Sequence, residues 1–544
     1  MTIAWTDETL LCSPAPAEVN AIPLTFAFPN TYSIGITSLG YQGVWATLAS
    51  RSDLEVTRLF LDGSDKRSHP PELLGFSVSW ELDYVHILNL LEELGIPIHS
   101  DDRTDRHPLI FGGGPVMTAN PEPFAEFFDV VLLGDGEDLL HEFIEAYKVV
   151  RDRDRLAILR HLAQVPGIYI PTLYEPSYAG PDGGIVACTP KYADVPETVQ
   201  KRTYRGNTLS TSTVVTPHAA WENIYMVEVV RSCPEMCRFC LASYLTLPFR
   251  VASLPQGLIP AIERGLEVTD RIGLLGASVT QHPEFDDLLT YLEGDRFDSI
   301  RLSLASVRTG TVTERLASVL TRRGSNSITV AVETGSERLR RVINKKLDNE
   351  EIFQAAAAAQ AGGLKAIKFY GMTGLPSEES EDLDATVEMF VRLRKVAPKL
   401  RYTFGCSTFV PKAHTPFQWY GVDKTSDKKL KALQKQLRPL GVDFRPESYN
   451  WSVIQALISR GDRRVGRVLE LAREFGESLG SYKRAFKTLK RELPPLDFYV
   501  HEDWEIDLPL PWEHLLGPLG RDRLLQHRAA AIAAGKSNDR CVAN

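Results

Sequence analysis

The sequence predicts an α/β protein: a doubly wound parallel sheet near the N-terminus, then a partial (β/α)6 barrel, then a mainly helical C-terminal region. Three observations carry this. Before residue 150, short apolar runs alternate with stretches of helical length. From 224 to 420 the alternation resumes with longer helices. Where the second run begins, an apolar strand ends in a loop holding Cys233, Cys237 and Cys240.

Composition sets the bounds. A chain of 544 residues has room for three or so domains, each with its own core. Hydrophobic content of 43% and charged content of 24% describe a soluble globular protein. The net charge of -9 gives no sign of a general nucleic-acid binder, although a local basic patch stays open. MTIAWTDETLLCS has no basic stretch followed by an apolar one, so no signal peptide is expected. No long apolar run exists, so no membrane span is expected. Seven cysteines, three of them in one loop, do not describe a disulfide scaffold and point to the cytoplasm.

Residues 1–150 read as the first domain. Its expected strands are Leu24–Phe28, Glu55–Leu61, Leu73–Ser79, Pro108–Gly112 and Asp129–Leu133, with Asp83–Leu94 the clearest helix. Ligands of such sheets bind beyond the carboxyl ends of the strands. Three of those ends are unusual: Phe28-Pro29-Asn30-Thr31-Tyr32, Gly112-Gly113-Gly114-Pro115, and Gly134-Asp135-Gly136-Glu137. Glycine there lets a flat ligand lie against bare backbone, though it also simply makes turns. Residues 151–223 read as a packed connector, rich in turn residues, with GIYIPTLY and ACTPKYADV as short strands and Cys188 in a structural role.

Residues 224–420 read as the barrel. Its expected strands are Ile224–Val230, Ile272–Leu275, Ile300–Ala305, Ile328–Glu333, Ala366–Tyr370 and Tyr402–Val410. The active site of such a barrel lies at the carboxyl ends of its strands. The C-x3-C-x2-C loop after the first strand can hold three corners of a [4Fe–4S] cube, because thiolates suit iron–sulfur clusters. Three ligands leave one iron open. The bland alternatives are a structural zinc site or three reduced core thiols. Zinc normally wants a second pair of ligands, and Cys12, Cys188, Cys406 and Cys541 are scattered singly.

In residues 421–544, Lys424 to Leu440 reads as a solvated helix carrying Lys428, Lys429, Lys431 and Lys435. Ile454 to Phe475 is a second helical stretch; its Arg460, Asp462, Arg463 and Arg464 read as a solvated basic face or, less simply, as a grip on an anionic substrate. The aromatics of PLDFYVHEDW and LPLPWEHL are expected to cap the barrel mouth, and the last fifteen or so residues to be frayed.

The cysteine triplet after the first strand of a (β/α) barrel resembles the radical SAM superfamily, and EVVRSCPEMCRFC and FVPKAHTPFQW resemble one particular branch of it. FPNTYSIG, GFSVSW, FGGGP and GDGE resemble landmarks of the cobalamin-binding domain that precedes the barrel in many of its members. The resemblance implies a [4Fe–4S] cluster on Cys233, Cys237 and Cys240, with S-adenosylmethionine (SAM) chelated at the open iron. It implies cobalamin against Gly112, Gly113, Gly114, Gly134 and Gly136. On the barrel side, Gly276, Ala277 and Ser278 occupy the place of a Gly-Gly-Glu motif and lack its glutamate. Ser306 and Arg308 end the third strand, and Gly374 lies in a turn on the adenine side. Glu333 is either a SAM contact or a helix N-terminal charge on ERLRRVINK. The Asp-x-His-x-x-Gly motif of many corrinoid domains is missing, and His69, His86, His107 and His141 do not supply it. The implied activity is reductive cleavage of SAM to a 5′-deoxyadenosyl radical, then methyl transfer to an unactivated carbon, with an electron donor such as flavodoxin or ferredoxin as partner. The alternatives are another radical reaction (ring formation, rearrangement or sulfur insertion) with corrinoid idle or absent, and a non-catalytic cluster protein that binds or senses. No catalytic side chain and no substrate is implied. Both sheets would have to turn their strands' carboxyl ends toward each other.

Overall fold

The computed structural model describes residues 7–206, 209–305 and 307–536. Ser306, Cys541 and the first six residues of the stretch read for a signal peptide lie outside them.

The first sheet contains β1 (Ile22–Ala27), β2 (Leu54–Phe60), β3 (Gly63–Ser64), β4 (Leu73–Ser77), β5 (Leu109–Gly113), β6 (Val130–Leu132) and β7 (Ile168–Tyr169), in the order β3-β2-β1-β4-β5-β6-β7. The five strands read from sequence run parallel in the order β2-β1-β4-β5-β6. This order reverses between β1 and β4, and a crevice opens at that switch point. Two antiparallel edges, β3 and β7, complete the sheet. β3 is an addition, a two-residue strand too short to carry an alternating pattern; β7 lies within GIYIPTLY, read as a short strand of the connector, and joins the first sheet. Helices α1 (Leu39–Ala49) and α4 (Gly136–Val150) pack together beside this sheet, and α2 (Tyr84–Glu93) lies apart from them.

The barrel consists of β10 (Ile224–Arg231), β12 (Arg271–Gly276), β13 (Arg301–Leu304), β14 (Ser327–Glu333), β15 (Ala366–Thr373) and β16 (Arg401–Thr408), after a connector hairpin of β8 (Tyr174–Tyr178) and β9 (Ile185–Pro190). These six strands, all anticipated, are parallel within two runs, β10-β12-β13 and β14-β15-β16. One bridge, Val307 to Val330, joins the runs. Two edge strands extend them: β11 (Arg250–Val251) pairs antiparallel with β10, and β17 (Asp443–Pro446) pairs parallel with β16. Ile328, Val330, Ile367, Phe369, Tyr402 and Phe404 are buried in the core between the strands and their helices. The alternate residues Thr329, Lys368 and Thr403 sit side by side across three strands and stay half-buried. They face a barrel interior left partly open.

The C-terminal region is helical, but it does not do what its composition suggests. Helices α6 (Tyr449–Arg460), α7 (Val465–Glu474) and α8 (Leu479–Thr488) share the first domain's hydrophobic core. Tyr84 of α2 donates to Leu469 O at 3.2 Å and meets the Tyr482 hydroxyl at 2.6 Å. The arginine cluster is neither a solvated face nor an anion grip. Arg460 is fully buried, stacked 3.9 Å over Trp504, and donates to the carbonyls of Tyr499 and Glu502. Arg463 pairs with Glu122, and Arg464 with the buried Asp462. Tyr499, Trp504 and Trp512 join that same core and do not cap the barrel. The lysine helix forms over Ser426–Leu437; Lys428, Lys431 and Lys435 are exposed, whereas Lys429 pairs with Glu378 and Asp423. The tail is not frayed up to Lys536: α9 (Arg521–Lys536) packs on the helix α5 (Glu337–Val342), and its Ala531 is buried with Leu339, Val342, Ile343, Leu375, Phe409 and Phe417. No described helix is long and apolar enough to cross a membrane.

His414, just past the barrel's sixth strand, is buried, and burial lowers its pKa from 6.5 to about 4. The unfolded chain therefore binds a proton between those pH values that the folded chain refuses, and stability falls as pH drops through that window. The contribution is on the order of 3 kcal/mol. Urea unfolding at pH 7 and pH 5 should show His414→Gln losing less stability on acidification than the wild type; an equal loss would contradict this.

Candidate active site

β10 delivers the cysteine loop. Ser232 and Met236 adopt left-handed backbone (φ +70° and +56°), which coils the chain tightly around Cys233 and Cys237. The loop is strapped to the segment after β14. Asn344 donates its amide to the carbonyls of Glu235 and Met236 at 3.1 and 2.8 Å. The Arg238 guanidinium reaches the carbonyls of Arg341 and Val342 at the end of α5, where a cation suits the helix dipole. Tyr244 donates to Met236 O and meets His527 Nδ1 of α9 at 2.6 Å.

Cys237 is buried, and burial pushes its thiol up to about 12, with Lys345 opposing and Cys240 and Cys233 adding to the rise. Burial likewise raises Cys240. Thiols so placed ionise only when something cationic binds them. A donor set of three soft sulfurs, with Cys233 close enough to add to the rise at both Cys237 and Cys240, fits an iron–sulfur cluster.

Glu333 ends β14 in left-handed backbone (φ +65°), buried, with Oε1 3.0 Å from Lys345 Nζ. It is not the N-terminal charge of α5; Ser336 caps that helix and Glu337 occupies its first turn. Burial alone would lower the Lys345 pKa, but Glu333 and then Cys237 outweigh it and raise it. Gly276 ends β12 at φ +153°, and a Cβ there would meet the Val230 carbonyl oxygen at 2.7 Å. Ala277 is exposed and Ser278 buried. Ser278 Oγ donates to Gln281, Gln281 donates to Glu235, and Arg308 donates to the same Glu235 oxygen, each at 2.5 Å. The turn after β12 is thus wired to the cysteine loop. The spacing of Glu235, Gln281 and Arg308 in the sequence gave no signal of this. Gly374 lies elsewhere, in a 290 Å³ cavity with Asp423 and Lys429, its N–H donating to Glu378.

The first domain presents its glycine turns to this face. A cavity of about 620 Å³ is lined by Gly113, Gly114, Gly134 and Gly136 on one side and by Glu228, Arg231, Leu275 and Gly276 on the other. Gly112 is not among the lining residues; a Cβ on it would strike the Phe128 ring at 2.6 Å, so packing demands that glycine. Gly134 (φ +105°) also lies against backbone, that of Arg202.

An ionic clamp closes the arrangement. Arg231, two residues before Cys233, lies 2.7 Å from Glu137, 2.8 Å from Glu228 and 3.5 Å from Asp135. Arg250 lies 2.7 Å from Asp135 and donates to Tyr204 O. Burial would raise the Asp135 pKa, but the two arginines outweigh it and hold it below the usual range. On the far side, Lys412 after β16 binds Glu81 of the first domain and Ser459 of α6. Among the described residues, no histidine lines the cavity. His99, passed over in the sequence reading, sits with Glu126 and Glu470, none of which lines it.

The family comparisons bear on this geometry directly. The profile described as "Radical SAM superfamily" matches residues 227–390, and that described as "Radical SAM proteins, N-terminal" matches 43–171. The chain belongs to the radical SAM superfamily. Membership implies a [4Fe–4S] cluster and SAM. "Uncharacterized protein MJ0966" of Methanocaldococcus jannaschii is 25% identical over 465 residues, which cover 84% of this chain and 93% of that one. The radical SAM methyltransferase TsrM of Kitasatospora setae, with cobalamin and a [4Fe–4S] cluster bound, superposes over 94% of this chain and 99% of its own, at 12% identity and a TM-score of 0.50. TsrM with tryptophan and the SAM analogue aza-SAM matches over 73% and 75%, at 14% identity and a TM-score of 0.50. At such identities the likeness is one of fold.

Two tests follow from the radical SAM geometry. Cys233→Ala, Cys237→Ala and Cys240→Ala should each lose most of the protein-bound iron and sulfide of anaerobically reconstituted protein, while Cys406→Ala keeps it; retention in all three would refute the ligand assignment. Arg231→Ala leaves Asp135 and Glu137 short of a cation and should cost about 3 kcal/mol in urea unfolding. A loss under about 0.5 kcal/mol, the scale of an exposed pair, would mean that the clamp does not hold the domains.

Proposed function

We propose that the protein is a cobalamin-dependent radical SAM enzyme that transfers a methyl group to an unactivated carbon. The observation that carries this is the shared cavity: the glycine turns of the first domain and the strand ends that flank the cysteine loop border one space. The lining suits a flat, amide-bearing ligand. Gly113, Gly114, Gly136 and Gly276 present backbone, and Ser77, Ser79 and Thr213 are among its polar residues. Among its described lining residues none is a histidine, so this lining would offer a corrinoid no imidazole.

When bound, the cluster with SAM supplies one-electron cleavage to a 5′-deoxyadenosyl radical, and cobalamin supplies a methyl group for transfer. The chain's own residues do the positioning. Cys233, Cys237 and Cys240 would hold the cluster at the end of β10. Gly276 and Ser278 would border SAM, with Glu333 offering a carboxylate and Lys345 its counter-charge. Arg231 and Arg250 keep the two faces in register, so that a short-lived substrate radical would form near its methyl source. The half-open barrel interior beside Thr329, Lys368 and Thr403 offers the substrate a place to lie. An electron donor such as flavodoxin or ferredoxin would complete the system. TsrM, which shares the fold, is a methyltransferase with cobalamin bound, in line with this reading.

The protein reconstituted with cobalamin should show a base-off visible spectrum, and its cob(II)alamin EPR signal should lack nitrogen superhyperfine splitting. Nitrogen splitting from a histidine would refute the ligand assignment, and absence of bound corrinoid would refute the cobalamin reading. Turnover with methyl-deuterated SAM should place deuterium in the product; a product without it would rule out methyl transfer from SAM and leave another radical reaction.

A further inference from the structure

Away from the shared cavity, three segments remote in sequence converge on one point. Glu122 lies in the short turn after the β5 loop, Cys188 on β9 of the connector, and His514 just past Trp512 near the end of the chain. One ligand atom from each, a carboxylate oxygen, a thiol sulfur and a ring nitrogen, lies within 4.8 Å of the other two. Glu122 and His514 are buried, and Cys188 is half-buried.

The histidine demands an explanation. Its side chain is only 4% exposed, and among the described residues neither ring nitrogen has a hydrogen-bond partner. Nε2 stands 3.6 Å from Glu122 Oε1, too far for a hydrogen bond. Tyr169 and Tyr174 hold the ring from two sides, at centroid distances of 5.1 and 5.6 Å. A buried imidazole without partners is costly, and in a well-packed protein it signals a ligand. Glu122, by contrast, is oriented as a metal's carboxylate usually is. Arg463 Nε donates to Oε2 at 3.2 Å, and the Tyr169 hydroxyl donates to Oε1 at 2.5 Å, the kind of outer contacts that aim a ligand. The Cys188 thiol is no nucleophile: burial pushes it up to about 12, with the Glu122 charge adding to the rise.

We propose that Glu122, Cys188 and His514 form a structural zinc site. Sulfur, imidazole and carboxylate together are a donor set that zinc accepts in tetrahedral geometry, with water as the fourth ligand on the half-open Cys188 side. Binding displaces the Cys188 proton to solvent and involves no redox change. The bound dication offsets the carboxylate and the new thiolate, and Arg463 keeps its place on Oε2. The site would staple the first domain, the connector and the C-terminal segment at one point. It draws on no part of the cluster or corrinoid reading.

The test is metal analysis of the full-length, cluster-containing protein after anaerobic purification and desalting. About one zinc per chain is expected, falling at least fivefold in both Cys188→Ser and His514→Gln with iron unchanged. Zinc below a tenth of that in the wild type, even after incubation with zinc chloride, would overturn the proposal, as would full retention by both variants. Should the variants fold poorly, cobalt(II) added to the wild type with its cluster intact decides the matter. A thiolate-to-cobalt absorption in the near ultraviolet with intense tetrahedral d–d bands is expected, and their absence would overturn the site.

Discussion

Arg231 and Arg250 are cross-strand partners on the β10–β11 hairpin. Two guanidinium groups set opposite each other repel, and burial sharpens the repulsion. Anions offset this: Glu228 of the same strand and Glu137 of the other domain lie against Arg231, and Asp135, also from the other domain, reaches both arginines. The rest of the site follows from this. β11 returns from the cysteine loop, so the loop's exit is fixed by a carboxylate on the first sheet. The same contact brings Gly134 and Gly136 opposite Gly276, and the shared cavity lies between them.

All eleven principal strands could be read: those of the first sheet are short, nearly continuous apolar runs, while barrel strands such as β15 and β16 alternate buried residues with half-buried or exposed ones. The cysteine loop was legible because its chemistry is compressed into eight residues. What could not be read depends on distance along the chain. Nothing near Arg460 announces that Trp504 will stack on it, and Glu122, Cys188 and His514 are separated by dozens to hundreds of residues. The two-residue edge β3 carries no period at all. Gly112 shows the opposite failure: its place in a glycine run suggested a ligand, whereas the neighbouring Phe128 ring is what requires it.

Electrostatics at the barrel mouth is arranged in pairs, each joining a strand end to a loop: Glu333 with Lys345, Glu235 with Arg308, Glu81 with Lys412. None of these is a bare charge, so the mouth can exclude water without stranding an ion. The Cys237 thiol stands apart, neutral as folded and dependent on an incoming cation to ionise. Burial thus sets Cys237 and Cys240 to become charged as the site fills.

The C-terminal quarter closes structures begun at the N-terminus. Helices α6 to α8 complete the first domain's core, and α9 lies against α5 with His527 touching the cysteine loop through Tyr244. A ribosome releases these elements hundreds of residues after the parts they complete. During synthesis the first domain has an unfinished core until α6 to α8 emerge. Contacts spanning almost 400 residues, such as Tyr84 to Tyr482, also make slow folding and a long exposure of apolar surface the natural expectation. A nascent chain that ends before α9 lacks His527, and with it the contact that holds Tyr244 against the backbone of Met236 between Cys233 and Cys237.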